Sequence, residues 1–172
     1  MSEQAADGPT DAIDLILHQW ARERPDLDLS PMALLGRLGL LTRAMERELD
    51  ELFGRYGLAR ADFDVLAALR RSGPPYALIP SELSAALMMS RAGMTSRLDR
   101  LERAGLVERN LDPADRRSFR VTLTSTGLTR IDTVLTEHAA ALRHLVRGLT
   151  SEDSATLTRI LRTMLAAITE SR

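Results

Sequence analysis

Eight arginines fall between residues 91 and 120 (Arg91, Arg97, Arg100, Arg103, Arg109, Arg116, Arg117 and Arg120), against five acids (Asp99, Glu102, Glu108, Asp112 and Asp115). Guanidinium groups gathered in this way suit phosphate oxygens and the acceptor edge of guanine, both of which they meet with two parallel N–H donors. The whole chain gives no such hint. Its net charge is −1 over 172 residues, with 23 basic and 24 acidic side chains, and that total argues against a polyanionic partner. The local excess of three positive charges means that the rest of the chain is acidic, so the basic charge is concentrated in one stretch.

Other chemistry is poorly provided for. His18, His138 and His144 share no metal-ligand spacing with carboxylates, and there is no nucleophile elbow and no glycine loop to cradle a phosphate. Cysteine is absent, which removes thiolate zinc sites, thiol nucleophiles and thiol-based sensing. Neither an enzyme nor a bound cofactor or metal is expected. His138 lies on an apolar stripe and reads as a packed histidine.

The elements that position the arginines follow from periodicity. Residues 1–9 are small and polar and read as a flexible tail. Ile13, Ile16, Leu17 and Trp20 recur at helical spacing, predicting a short helix within 10–25 that stops near Pro25. Ser30 and Pro31 read as N-cap and first helical residue of a long helix carrying Leu34, Leu38, Leu41, Met45, Leu49, Leu52 and Tyr56, ending near Gly57. Leu58 and Phe63 bracket the start of a helix over about 60–71, with Asp62 near its third position to complement the dipole. Pro80-Ser81-Glu82 opens an eight-residue helix, and Ser90 caps another that runs from Arg91 to Ala104 and ends at Gly105.

The period then changes to two. Leu106-Val107-Glu108-Arg109 and Phe119-Arg120-Val121-Thr122-Leu123 predict a two-stranded hairpin with a charged tip between them. A second long helix follows with Leu128, Ile131, Leu135, His138, Leu142, Leu145 and Leu149. Thr150 and Asp153 form a capping box for a last helix with Leu157, Ile160, Leu161, Met164, Leu165 and Ile168.

A tight pair of helices over 81–104 running straight into a β-hairpin describes a winged helix-turn-helix, mainly α with a small hairpin wing. In such a unit the second helix enters a major groove of double-stranded DNA, and the hairpin tip reaches a neighbouring groove or backbone. With Met94, Leu98 and Leu101 turned inward, the outward early positions are Arg91, Ala92, Thr95, Ser96 and Asp99. Ser90, Arg91, Thr95 and Ser96 are therefore candidates for base edges and nearby phosphates, with Arg116 and Arg117 at the wing tip. A winged helix used only as a protein-interaction module is the competing reading, and the arginine-rich wing argues against it.

The segment LSAALMMSRAGMTSRLDRLERAGLVERNLDPADRRSFRVTLTSTG resembles the DNA-binding region of the MarR family of bacterial regulators. The most specific part is Asp112-Pro-Ala-Asp115-Arg116-Arg117 running into Val121-Thr122-Leu123-Thr124-x-x-Gly127. The resemblance covers about 30–172, with dimerisation helices over 30–57 and 125–170 flanking a DNA-binding lobe at 58–124. It implies an intertwined homodimer on a pseudo-palindromic operator, most often as a repressor, and two apolar stripes that one chain would have difficulty covering suit that assembly.

Arg97 does not belong to the outward set. It borders the inward stripe, where a cation needs an anionic partner, and Asp64 is a plausible one, giving an ordinary structural salt bridge. The added helix with its single tryptophan resembles the urate-responsive branch of the same family. That resemblance implies a ligand site made of Trp20, Asp64, Arg97 and Arg109, and a small anionic effector: urate first, with trans-aconitate, citrate or a phenolic acid as alternatives. Both readings of Arg97 stand on the sequence alone. A hydrophobic fraction of 44% with 27% charged residues fits a globular protein, and no secretory signal or membrane-length apolar run is seen, which predicts a cytoplasmic protein.

Overall fold

The computed structural model describes residues 10–111 and 119–170. It divides into two compact units, residues 1–48 and 49–172.

In the first unit, α1 (Ala12–Glu23) opens at Asp11, whose carboxylate accepts from the backbone N–H of Ile13 at 2.8 Å and of Asp14 at 3.1 Å, while Asp14 accepts from Asp11 N–H. That reciprocal cap satisfies donors that the first turn leaves open. Arg37, on α2 (Ser30–Arg55), donates to Asp11 at 2.8 Å and to Asp14 at 2.6 Å, so one guanidinium ties the cap of α1 to α2. Beside it, Gly36 lets α1 come close: a Cβ there would stand 2.8 Å from Ile13 Cδ1, and the Ile13 side chain would have to shift. Ser30, expected as the N-cap of α2, lies within its first turn and donates its N–H to Asp28 at 3.0 Å. The aspartate two residues upstream offers a charged acceptor, which displaces the cap by a residue.

The second unit holds the core. Leu49, Leu52 and Phe53 at the end of α2 pack in one cluster with Phe63, Val65, Leu66 and Leu69 of α3 (Arg60–Arg71), Leu83 of α4 (Pro80–Ala86) and Met94, Leu98 and Leu101 of α5 (Arg91–Arg103). The wing is a three-stranded antiparallel sheet rather than the expected two strands. β1 (Ala77–Leu78), β2 (Val107–Leu111) and β3 (Phe119–Leu123) lie in the order β1-β3-β2, with Ala77 opposite Thr122 and Arg109 opposite Val121. Two residues are too few to carry an alternating pattern, so β1 is visible only in its pairing.

A junction after β3 sets the start of α6 (Ser125–Leu145). Thr124 Oγ1 accepts the N–H of Gly127 at 2.9 Å and donates to the carbonyl of Gly105 at 2.7 Å, and Thr124 N–H donates to Leu106 O at 3.2 Å. The helix backbone comes so close that a Cβ on Gly127 would lie 1.8 Å from Leu106 O. The Thr-x-x-Gly pattern at 124–127 is thus a packing requirement at the base of the wing. The Thr150–Asp153 capping box forms as read, at 3.1 Å in each backbone direction, and opens α7 (Ser151–Glu170). No residue of α7 is buried, and Leu157, Ile160, Leu165 and Ile168 are exposed. Among the described residues no helix is long and apolar enough to cross a membrane.

Candidate nucleic-acid interface

Ser90 caps α5 as expected, accepting from Gly93 N–H at 3.2 Å. Burying Met94, Leu98 and Leu101, each 1% exposed, turns the opposite face outward, and Arg91, Ala92, Thr95 and Ser96 are all exposed. Thr95 Oγ1 donates back to the Arg91 carbonyl at 3.0 Å, which leaves its lone pairs for an incoming donor. A shallow recess of about 220 Å³ links this helix start to its neighbours and is lined by Pro80, Ser81, Ser84, Arg91, Met94, Thr95 and Phe119. Ser81, Ser84 and Phe119 were missed by the sequence reading, since nothing in their spacing sets them apart from ordinary polar or strand residues. The turn before α5 projects Met88, 95% exposed and with φ of 50°. Arg116 and Arg117, with Asp112 and Asp115, lie outside the described residues.

Two sets of ion pairs meet α5, one on each flank. On the side of α3, Asp62 is 3% exposed. Its Oδ2 accepts from Ala59 N–H at 3.1 Å, capping α3, while its Oδ1 accepts from Arg100 at 2.5 Å and stands 3.5 Å from Arg97 Nη1. A buried carboxylate needs such partners to remain charged. On the side of the wing, Arg109 of β2 donates to Asp99 at 2.5 Å and reaches Glu102 at 3.1 Å, with its guanidinium 5.3 Å from the centre of the Phe119 ring. The helix thus offers arginines to a carboxylate on one side and carboxylates to an arginine on the other. Arg97 and Asp99, two residues apart on a helix, point about 200° away from each other.

The partner foreseen for Arg97 was Asp64, but the ion pair is made with Asp62. The two acids are also two apart on α3, and only the one at the helix start points towards α5. Asp64 is half-buried, and burial raises its pKa, offset by the nearby charges of Arg60, Arg71, His138 and Arg97 in that order. Arg97 therefore acts on Asp64 through its field and on Asp62 by contact. Trp20 belongs to the first unit and is exposed on α1.

A third feature is a recess of about 450 Å³ lined by Phe63, Ala67, Arg70, Arg71, Leu135 and His138. Its floor is aromatic: the Phe53 and Phe63 rings stack at 4.4 Å and the His138 ring lies 4.9 Å from Phe63. Burial holds the His138 pKa down against a smaller upward pull from Asp64, and its Nδ1 is buried without a hydrogen-bond partner among the described residues. Arg70 donates to Asp132 at 2.7 Å and covers the Tyr76 ring at 5.0 Å. Among the described residues no cluster of histidine and acidic side chains could hold a metal.

An exposed polar helix start, a caged helix and a paired wing are the parts of a winged helix-turn-helix regulator. Comparison with known proteins agrees. Residues 56–118 match the model of the MarR family. The chain is 42% identical over 146 residues to the HTH-type transcriptional regulator PecS of Dickeya dadantii, covering 85% of this chain and 88% of that protein. It superposes on a MarR mutant from E. coli complexed with operator DNA with a TM-score of 0.68 at 30% identity, over 81% of this chain and 99% of that one. For Sco3205, a MarR family regulator from Streptomyces coelicolor in complex with DNA, the TM-score is 0.71 at 25% identity, over 82% and 89%. The chain belongs to the MarR family, and is a DNA-binding transcriptional regulator rather than an enzyme.

Proposed function

We propose that this regulator binds a pseudo-palindromic operator as a homodimer, represses from it, and is released by a small anion, urate first. The observation that carries the effector reading is at Arg97 and Arg109. Both are largely buried, and in both the Nε–H is buried without a hydrogen-bond partner among the described residues, although Arg97 Nη1 faces Asp62 and both terminal nitrogens of Arg109 are engaged. Each arginine thus keeps a donor that no acceptor among the described residues meets, and an unmet buried donor costs about 1–3 kcal/mol. A planar oxyanion meets that need. Dimerisation is supported by α7, where Leu157, Ile160, Leu165 and Ile168 are exposed and no residue is buried. Two copies of α5 about one DNA turn apart would meet two half-sites.

Release follows from linkage. An anion that draws Arg97 from Asp62, or Arg109 from Asp99 and Glu102, loosens the contacts that set α5, and must bind the DNA-free form more tightly than the DNA-bound form. Asp64, half-buried and close enough to feel Arg97, adds repulsion against such an anion. Trp20 is assigned to the same site by resemblance. The recess beside His138 supports a second effector reading: its apolar floor and the rim arginines Arg70 and Arg71 suit a phenolic acid. Fluorescence anisotropy on the intergenic DNA preceding its own gene, with urate, trans-aconitate, citrate and salicylate added in turn, tests all of this. Salt-sensitive binding reversed by urate is expected. Release by salicylate alone, unaffected by Arg97→Ala, would move the site to the His138 recess.

A further inference from the structure

The wing-side contacts of α5 have a consequence for charge as well as for position. Asp99 lies one helical turn beyond Thr95 and three residues beyond Ser96, on the strip that continues the exposed start of α5. Glu102 follows it on the flank nearest the wing. Their side chains are 45% and 39% exposed, so these carboxylates are covered by Arg109 and not by the core. Arg103 makes no ion pair with either carboxylate among the described residues, and its Nε donates to the Asp99 carbonyl at 3.1 Å. The guanidinium of Arg109 is the only cation within ion-pair distance of either among the described residues.

We propose that Asp99 and Glu102 are a masked acid pair, whose two charges Arg109 reduces to a net −1 while α5 faces DNA, and that withdrawing Arg109 leaves the full −2 facing the phosphates. Arg109 would then be a positioning residue whose main effect on affinity is electrostatic. The regulatory half of this proposal rests on the anionic effector argued above; the DNA-binding half does not. An anion that recruits Arg109 would do two things at once, adding its own charge and removing the one positive charge that offsets the acid pair, two such charges across a dimer. Exposed charges within about a Debye length of DNA, ~8 Å in physiological salt, are felt directly.

Three variants of the full chain separate this from a mechanical brace and from a direct phosphate contact: Arg109→Gln, the double variant Asp99→Asn with Glu102→Gln, and all three together. Anisotropy on the intergenic DNA at several salt concentrations is the readout, with thermal melting as a check of folding. Arg109→Gln is expected to weaken binding roughly tenfold. The double variant is expected to bind as well as the native protein or severalfold better, with a steeper salt dependence because Arg109 is then free. The triple variant is expected to regain most of the loss. If the double variant weakens binding as much as Arg109→Gln, the contacts are a brace and the masking proposal is overturned. If the triple variant stays as weak as Arg109→Gln, the arginine touches phosphate itself and the proposal is overturned likewise.

Should Arg109→Gln fail to fold, the double variant decides alone, through the sign of its effect. Urate then tests the regulatory half: native protein released from DNA, the double variant retained at the same urate concentration. Equal release from both would overturn that half. No release of native protein would overturn the effector reading while leaving the DNA result to stand.

Discussion

The two ends of the second unit are built on opposite terms. Between Leu58 and Leu123 the chain closes a core of its own: Val65, Leu66, Leu69, Leu83 and Val121 have no exposed surface at all, with Met88 and Leu111 the clearest exposed exceptions among the described residues. From residue 151 onwards, a helix with just as regular an apolar stripe buries none of it. The same periodicity therefore means a finished core in one place and an unfinished one in the other. Hydrophobic spacing says which face of a helix is apolar, but only tertiary contact says whether the chain itself covers that face. The reading lobe closes its core within a single chain, and α7 leaves most of its apolar face exposed.

Replacing exposed residues of α7 puts most strain on this contrast. Leu165→Glu with Ile168→Glu is expected to turn the dimer into a monomer by light scattering and to lower operator affinity by roughly a hundredfold, as one half-site's binding energy is lost. The lobe should melt as before, and if it unfolds instead, the two regions are not independent. Next in size is Gly127→Ala. With Leu106 O only 1.8 Å from the new methyl, the base of the wing must open, and a loss of about 3 kcal/mol or more is expected in denaturant unfolding. Asp62→Asn should cost about 2 kcal/mol, because the α3 cap survives weakened while Arg97 and Arg100 lose their counter-charge. DNA affinity should fall with it.

The smallest effect is that of acid on His138. Its pKa lies below the ordinary 6.5 because burial disfavours the charged ring. The folded form therefore binds fewer protons than the unfolded one, and stability should decline as pH falls from about 6.5 towards the lowered value. His138→Phe, beside Phe53 and Phe63, should flatten that decline in melting curves recorded between pH 7 and 5.

Much of this architecture is visible in the residue order because long amphipathic helices and their caps are local. Asp62 at the start of α3, Ser90 before α5 and Thr150 with Asp153 before α7 are all set by neighbours three residues away. What escapes is decided across the fold. Asp62 and Asp64 are equally acidic and share a helix, and the choice of Asp62 as the partner of Arg97 depends on the direction from which α5 arrives. The pairing of Arg109 with Asp99 and Glu102 needs the chain to turn at Gly105 and run back along α5. β1 pairs through two residues with a strand more than forty positions later, and nothing local announces it. The outward face of α5, by contrast, follows from the three buried positions alone.

The junction at Thr124 behaves like a rivet. A single hydroxyl grips the carbonyl that ends the turn after α5 and the amide that begins α6, and the same residue's N–H reaches Leu106 at the root of β2. With Gly127 pressed against Leu106 there is no slack at this point. The tail of the reading helix and the first turn of α6 are therefore joined at one point, at the opposite end of α5 from Arg91, Thr95 and Ser96. A lever pinned in this way converts a small push on its flank into its largest displacement at the residues that meet DNA.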